Sequence, residues 1–472
     1  MANVAENCTE TQLTADEENS AEVPRKELDA GALFVLKSRG KTFSFFPHTP
    51  IFRSWLHCGY HLSTAVVGPE ILSLPFAMAL FGWVGGVVCL TLAGLVTFYS
   101  YNLISIVLEH NAQLGNRQLC FRDMACDILG PGWGRFFVDP LQFGLCYGSV
   151  IADVLLAGQS LKAIYLLYKA DGRMELYQFV IIFGGLMLIL AQMPSFHYLR
   201  YINLACLIFN VAYSACTTAG SIHIEDSRNA PPKDYRATTT GVDRVFGIFN
   251  AISIISTTYG NGIVPEIQAT LAPPIKGKMF KGLLLCYAAA ILTFFSVAIS
   301  GYWAFGNKSQ GNVLQNFIVN GQPLMPMWFL VMANVLILLH IIPSALTYLQ
   351  PTNVVLERTF VDPNKGQFSF RNAMPRIIFR SLSIVVATLL AAMLPFFGDL
   401  VALLGAFSCI PLDFILPMVF YNVTFKPSKK TIIFWVNTSI AIISTMLSLI
   451  GAVALVRQIV LDAKTYRLFS NV

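Results

Sequence analysis

Residues 55–80 read WLHCGYHLSTAVVGPEILSLPFAMAL, and residues 245–271 read VFGIFNAISIISTTYGNGIVPEIQATL. Each stretch is long and apolar enough to cross a bilayer, for which a helix needs about 20 residues. Each is also interrupted in its middle, the first by Gly68-Pro69-Glu70 and the second by the run from Tyr259 to Pro265. Proline removes a helical N–H and glycine frees the backbone, so both stretches predict helices that unwind at membrane depth. Unwound backbone is tolerated there only where it is buried in protein or lines a cavity. Two breaks at corresponding places in the two halves of a chain point to the substrate site of a secondary transporter built from inverted repeats.

The rest of the chain fits that reading. It is 55% hydrophobic and only 12% charged, with a mean hydropathy of +0.61, whereas a soluble domain carries about 25% charged residues. Eleven stretches qualify as spans: 55–80, 83–108, 141–168, 176–193, 201–224, 245–271, 281–304, 326–350, 377–395, 399–421 and 432–456. With the N-terminus inside, 21 of the 32 Lys and Arg residues fall in inner segments, which is the asymmetry that orients membrane proteins. The expected organisation is a cytosolic tail 1–54, a first five-helix repeat 55–224, a second 245–421, an eleventh peripheral helix 432–456 and an extracellular tail 457–472. This is an all-α integral membrane protein of the LeuT type, five helices plus five related by inversion. The inner loop segment Phe121–Leu129, followed by Gly130-Pro131, predicts an amphipathic helix on the inner face. The start of the chain lacks the pattern of a cleavable signal peptide.

Other chemistries find little support. The ten cysteines sit mostly inside apolar spans, where free Cys packs as a small hydrophobe. No CxxC pattern or His/Cys cluster suggests a metal, and no phosphate loop or nucleophile–base pairing suggests an enzyme. No cofactor and no nucleic acid are expected. The partner expected from composition is the lipid bilayer, and the chain is expected to act as a monomer.

Several strings carry a resemblance. They are GPEILSLPFAMALFGW (68–83), FGIFNAISIISTTYGNGIVPEIQATL (246–271), GYWAFG (301–306), YLQP (348–351) and PFFGDLVALLGAF (395–407). Together they resemble the amino acid/auxin permease family of plants and fungi, within the amino acid/polyamine/organocation superfamily. The segments LDAGALFVLKSRG (28–40), MPSFHYLRYINL (193–204) and FKPSKKTIIFWVNT (425–438) look like the plant GABA transporter branch of that family. The resemblance implies proton-coupled uptake of γ-aminobutyrate and related ω-amino acids across the plasma membrane.

An amino acid zwitterion must lose water at both ends, so its carboxylate needs positive dipoles and its ammonium needs acceptors. A half-helix that begins after a break points its positive end at the cavity. The N–H groups of Gly68, Glu70 and Ile71 are therefore candidates for the carboxylate. The carbonyls near Thr64–Val67 and Ser256–Tyr259 are candidates for the ammonium, with Thr257 beside them. Gly260 and Gly262 let the ligand approach the backbone. Equally, the Ser and Thr side chains near the breaks are placed to re-bond freed backbone instead of ligand.

Ionisable groups inside a membrane are functional candidates by default. Glu70, read as a residue that water reaches near the outer mouth, and Asp153, near the centre of the third span, are candidates for the ammonium or for the coupled proton. His57 and His61, one turn apart, and Glu266, at the start of the inner half-helix, are candidates for proton relay or gating; packing and capping are their simpler roles. Tyr147 is a candidate substrate cap, with core packing as the alternative. Asp413 reads as a buried hydrogen-bond partner. Asn307-Lys308-Ser309 is a glycosylation acceptor on an outer loop. A broader neutral amino acid permease and an amino-acid-binding membrane sensor are the competing functions.

Overall fold

The computed structural model describes residues 55–169, 171–192, 199–227, 232–235, 241–269, 277–319, 321–357, 370–394 and 396–465. The tail 1–54 lies outside the described residues, as does the side chain of His57.

Both breaks are present. Helix α1 (Trp55–Val66) ends where Gly68 turns extended, at φ −97° and ψ 178°. Pro69 follows as the first residue of a 3-10 turn, Pro69–Ser73, that leads into α2 (Leu74–Phe81). Proline suits that position because its missing N–H would have no helical partner. The two halves are bent by 41°. In the second half of the chain, α8 (Val242–Tyr259) stops at an extended Gly260, and α9 (Val264–Ala269) resumes after Gly262, whose φ is +56°. Only glycine adopts that left-handed backbone freely.

Between the breaks lie α3 (Trp83–Gln113), the loop helix α4 (Phe121–Leu129), α5 (Pro131–Tyr168), α6 (Leu176–Leu190) and α7 (Leu199–Asp226). Beyond them lie α10 (Lys278–Phe305), α11 (Met327–Glu357), α12 (Phe370–Met393), α13 (Phe397–Phe425) and α14 (Ile432–Thr465). A two-stranded hairpin, β1 (Ile318–Val319) with β2 (Gln322–Pro323), decorates the loop after α10. Among the described residues eight helices are long and apolar enough to cross a membrane, or nine with α1 and α2 taken as one bent span. The fourth and sixth sequence stretches do form helices, but α6 has 15 residues, and α8 with 18 is not among the long apolar helices.

The structure shifts the sequence reading at several places. The third helix begins at Pro131, ten residues before the apolar stretch 141–168, through a π-helical turn at Gly134–Val138. Gly130-Pro131 thus ends α4, with Gly130 at φ +104°, and starts the next helix at once. The last helix continues to Thr465, into the stretch 457–472 read as a tail. Finally, α4 buries Phe121, Met124 and Ala125 against protein, with Phe121 beside the Phe420 ring of α13 at 6.1 Å. Its apolar face is covered by protein instead of lipid.

The packing places the breaks in the middle. Helix α5 packs on α11 and α6, α7 on α10 and α11, and α1 on α10 and α7. Helix α13 is the most buried span, 78% of its most apolar window against 22% for α14. Its centre is eleven residues of π-helix, Gly405–Ile415, with Pro411 inside. Helix α8 approaches that segment so closely that a Cβ on Gly405 would strike the Ser253 carbonyl oxygen. A small residue is what lets two membrane helices meet backbone to backbone.

Candidate functional site

At the first break the freed carbonyls are taken up by side chains from other helices. Tyr348 of α11 donates its hydroxyl to the Ala65 carbonyl at 3.1 Å. Asn210 of α7 donates to the Val67 carbonyl, and Tyr213 to that of Gly68 at 3.2 Å. Backbone that has left its helix in a dry interior must find such partners. The N–H groups are engaged too: Gly68 donates to Val66 at 3.2 Å and Ile71 to Gly68 at 3.5 Å, while the Glu70 carboxylate accepts from its own N–H. Glu70 is buried, at 9% exposure, and is not the water-washed residue that its sequence position suggested. Asp153 is 1% exposed, and its Oδ2 has no partner among the described residues. It lies close enough to Glu70 for their charges to act on one another. His340 completes this side, with Nδ1 3.1 Å from the Cys206 carbonyl and its ring edge-on to Tyr213 at 5.5 Å.

The second break is held by a carboxylate. Asp413, on the π-helical segment of α13, accepts the N–H of Asn261 at 3.1 Å and that of Gly262 at 3.3 Å. Tyr101 of α3 donates to the Tyr259 carbonyl at 2.9 Å. Gln142 of α5 donates to the Gly262 carbonyl at 3.0 Å. Cβ atoms built on Gly260 would lie 2.8 Å from Cys409 and 2.9 Å from Asp413 Oδ2, so glycine is needed there for close approach. The hydrogen-bonding role read for Asp413 is what the structure shows; that its partner is the sixth span's own break was not legible.

The chain matches the family described as transmembrane amino acid transporter protein over residues 53–461. The chain belongs to that family. It is 54% identical over 447 residues to GABA transporter 1 of Arabidopsis thaliana, which covers 94% of this chain and 96% of the relative. It is 29% identical over 458 residues to lysine histidine transporter-like 6 of the same plant, covering 95% and 98%. Among solved structures it resembles a manganese transporter of Eremococcus coleocola, with a TM-score of 0.52 over 88% of this chain and 89% of that one. At 12% identity that likeness shows a shared fold alone. A membrane transporter of this family is not an enzyme, and the multi-pass helical architecture is what the sequence led us to expect.

Within this transporter the remaining sequence candidates divide. Val67, Gly68, Glu70, Ile71 and Asp153 come together at the first break, and Gly260 and Gly262 form the second. The hydroxyls near the breaks turn back onto their own helices: Thr64 to Tyr60 at 2.9 Å, Ser256 to Ile252 at 2.8 Å, and Thr257 to Ser253 at 3.0 Å. Thr257 also reaches the Val401 carbonyl of α13 at 2.6 Å. Tyr259 sends its ring away from the break, edge-on to Phe294 at 4.9 Å. Tyr147 faces the ninth span instead, donating to the Ser383 carbonyl at 2.7 Å and stacking on Phe143. His61 is half-buried on α1.

Glu266 is tied to the inner loop. Its Oε1 accepts from Gln142 at 2.7 Å and from the N–H of Phe121, the first residue of α4, at 3.3 Å. Arg117, just before α4, donates to the Ala269 carbonyl at the other end of α9 at 2.9 Å. Gln268 reaches the Ser105 carbonyl of α3 at 3.3 Å. The short helix α9 is thus strapped at both ends to α4 and its lead-in. Sequence reasoning missed Asn210, Tyr213 and Tyr348; the signal available was Asn210 inside the apolar run 205–212 of the fifth span.

Proposed function

We propose that this chain is a proton-coupled secondary transporter that imports γ-aminobutyrate and related ω-amino acids across the plasma membrane by alternating access. The observation that carries the reading is the 54% identity to GABA transporter 1, which runs through both breaks and nearly the whole chain. Eleven spans form two inverted five-helix repeats, 55–224 and 245–421, with the eleventh helix peripheral, the N-terminus cytosolic and the C-terminus outside. The low burial of α14 supports its peripheral place. The chain acts as a monomer and carries a glycan at Asn307. Substrate sits between the breaks, against Thr64, Val67, Gly68, Glu70 and Ile71 on one side and Ser256, Thr257, Tyr259, Gly260 and Gly262 on the other. Asp153 of the third span closes it. Glu70 and Asp153 share the tasks of holding the ammonium and passing the proton, with His57, His61 and Glu266 on the inner path.

The deciding measurement is uptake of labelled γ-aminobutyrate by cells lacking their own carrier, with and without a proton gradient. Uptake that collapses with the gradient supports the coupling; equal uptake in both refutes it. The similarity to lysine histidine transporter-like 6 favours a second reading, a broader amino acid permease. Competition by β-alanine, proline and a neutral α-amino acid separates the two.

A further inference from the structure

The anion-binding end of the outer half-helix already holds a carboxylate of the chain itself. Gly68 is extended and heads the helical half Pro69–Phe81. A Cβ built on Gly68 would collide with Glu70 Oε2, so the Glu70 side chain folds back across the break. There its carboxylate accepts from its own backbone N–H. Among the described residues no cation pairs with it. The neutral acceptors beside it, the carbonyls of Ala65, Val67 and Gly68, are committed to Tyr348, Asn210 and Tyr213. Unpaired on this side are His340 Nε2 and Asp153 Oδ2, the latter on a side chain 1% exposed that lies within electrostatic reach of Glu70. The site therefore has a filled anion position, a second buried acid with a free oxygen, and no positive side chain.

We propose that Glu70 is a displaceable occupant of the substrate's carboxylate position, and that its displacement makes the site select zwitterions over simple carboxylates. This rests on the transport reading above and deepens it. The ligand's carboxylate takes over the N–H that Glu70 releases, so no hydrogen bond is lost at the helix end. The freed Glu70 carboxylate then stands beside Asp153 in a dry site, where an uncompensated charge is costly. A ligand that brings an ammonium supplies the missing partner; one that brings only a carboxylate does not. Occupation by Glu70 also lowers apparent affinity, because only the fraction of molecules with the position open is competent to bind.

The test compares γ-aminobutyrate with butyrate, which has the same chain and no amine, as inhibitors of uptake and as ligands of the full-length protein in detergent. For the wild type, butyrate is expected to compete poorly. In Glu70→Gln, which removes the charge at constant shape, the ratio of the butyrate to the γ-aminobutyrate inhibition constant should fall by about tenfold, the factor that one charge-assisted hydrogen bond is worth. Glu70→Ala should move the ratio the same way. An unchanged ratio in a folded variant overturns the proposal while leaving the transport reading intact. Loss of folding in both variants also overturns it, because a side chain displaced in every cycle cannot be required by the fold. If the wild type takes up no γ-aminobutyrate, the transport reading fails, and the same ratio is measured with the zwitterion it does take up against its deaminated counterpart.

Discussion

Asp413→Ala is the most informative single perturbation of the second break. Asp413 is fully buried and accepts two backbone N–H groups of the unwound segment, from Asn261 at 3.1 Å and Gly262 at 3.3 Å. Alanine removes both acceptors and leaves the two N–H groups without the partner they have here. An orphaned buried N–H costs about 1–3 kcal/mol, so the loss should total ~2–6 kcal/mol. Asp413→Asn keeps one oxygen and turns an amide toward the other N–H, so its cost should be about half as large. The assay is thermal unfolding of the purified protein in detergent, paired with uptake per molecule at the cell surface. The order wild type, Asn, Ala is expected in both. An Ala variant with the wild-type unfolding midpoint and uptake would refute the idea that α13 holds the sixth span open.

Three further outcomes are expected. Gly68→Leu should abolish uptake while the protein still reaches the surface, because its side chain would displace Glu70 and fill the break; normal uptake by a surface-labelled variant would place the site elsewhere. Gly405→Val should cost more stability than Gly185→Val, since a Cβ at Gly405 meets the Ser253 backbone whereas one at Gly185 meets nothing; comparing detergent unfolding midpoints checks this. Glu266→Gln and Arg117→Ala each remove part of the strap between α9 and α4, so inner-face cysteine labelling should rise in both, and unchanged labelling would show that the strap does not bear on access.

The two breaks were legible because glycine and proline announce themselves inside apolar runs; hydropathy gave eleven spans, whereas eight or nine helices among the described residues are long and apolar enough to cross. The inner helix Phe121–Leu129 was equally readable from its apolar spacing. What covers it was not, because the sequence cannot tell a face turned to lipid from one turned to Phe420. The partner of Asp413 was hidden for a definite reason. Eleven residues of π-helix, Gly405–Ile415, shift the direction of every side chain relative to the 3.6-residue period on which such readings depend. The carbonyl partners at the first break come from Asn210, Tyr213 and Tyr348, more than a hundred residues away in sequence, and no local pattern joins them. The present partners of the Gly68 and Ile71 N–H groups, the Val66 and Gly68 carbonyls, were not legible either, because how a dry break satisfies its own backbone depends on local conformation that periodicity does not give.

Helix α9 has six residues, enough for roughly two internal hydrogen bonds of its own. Its order is borrowed from the Glu266, Arg117 and Gln268 contacts at its edges. A segment so held does not swing like a door on a hinge. When its straps part, it loses what keeps it helical, so any movement of this segment is a small local melting event. Amide hydrogen exchange along 264–269 reads that equilibrium directly, as the free energy of unravelling about one turn and a half.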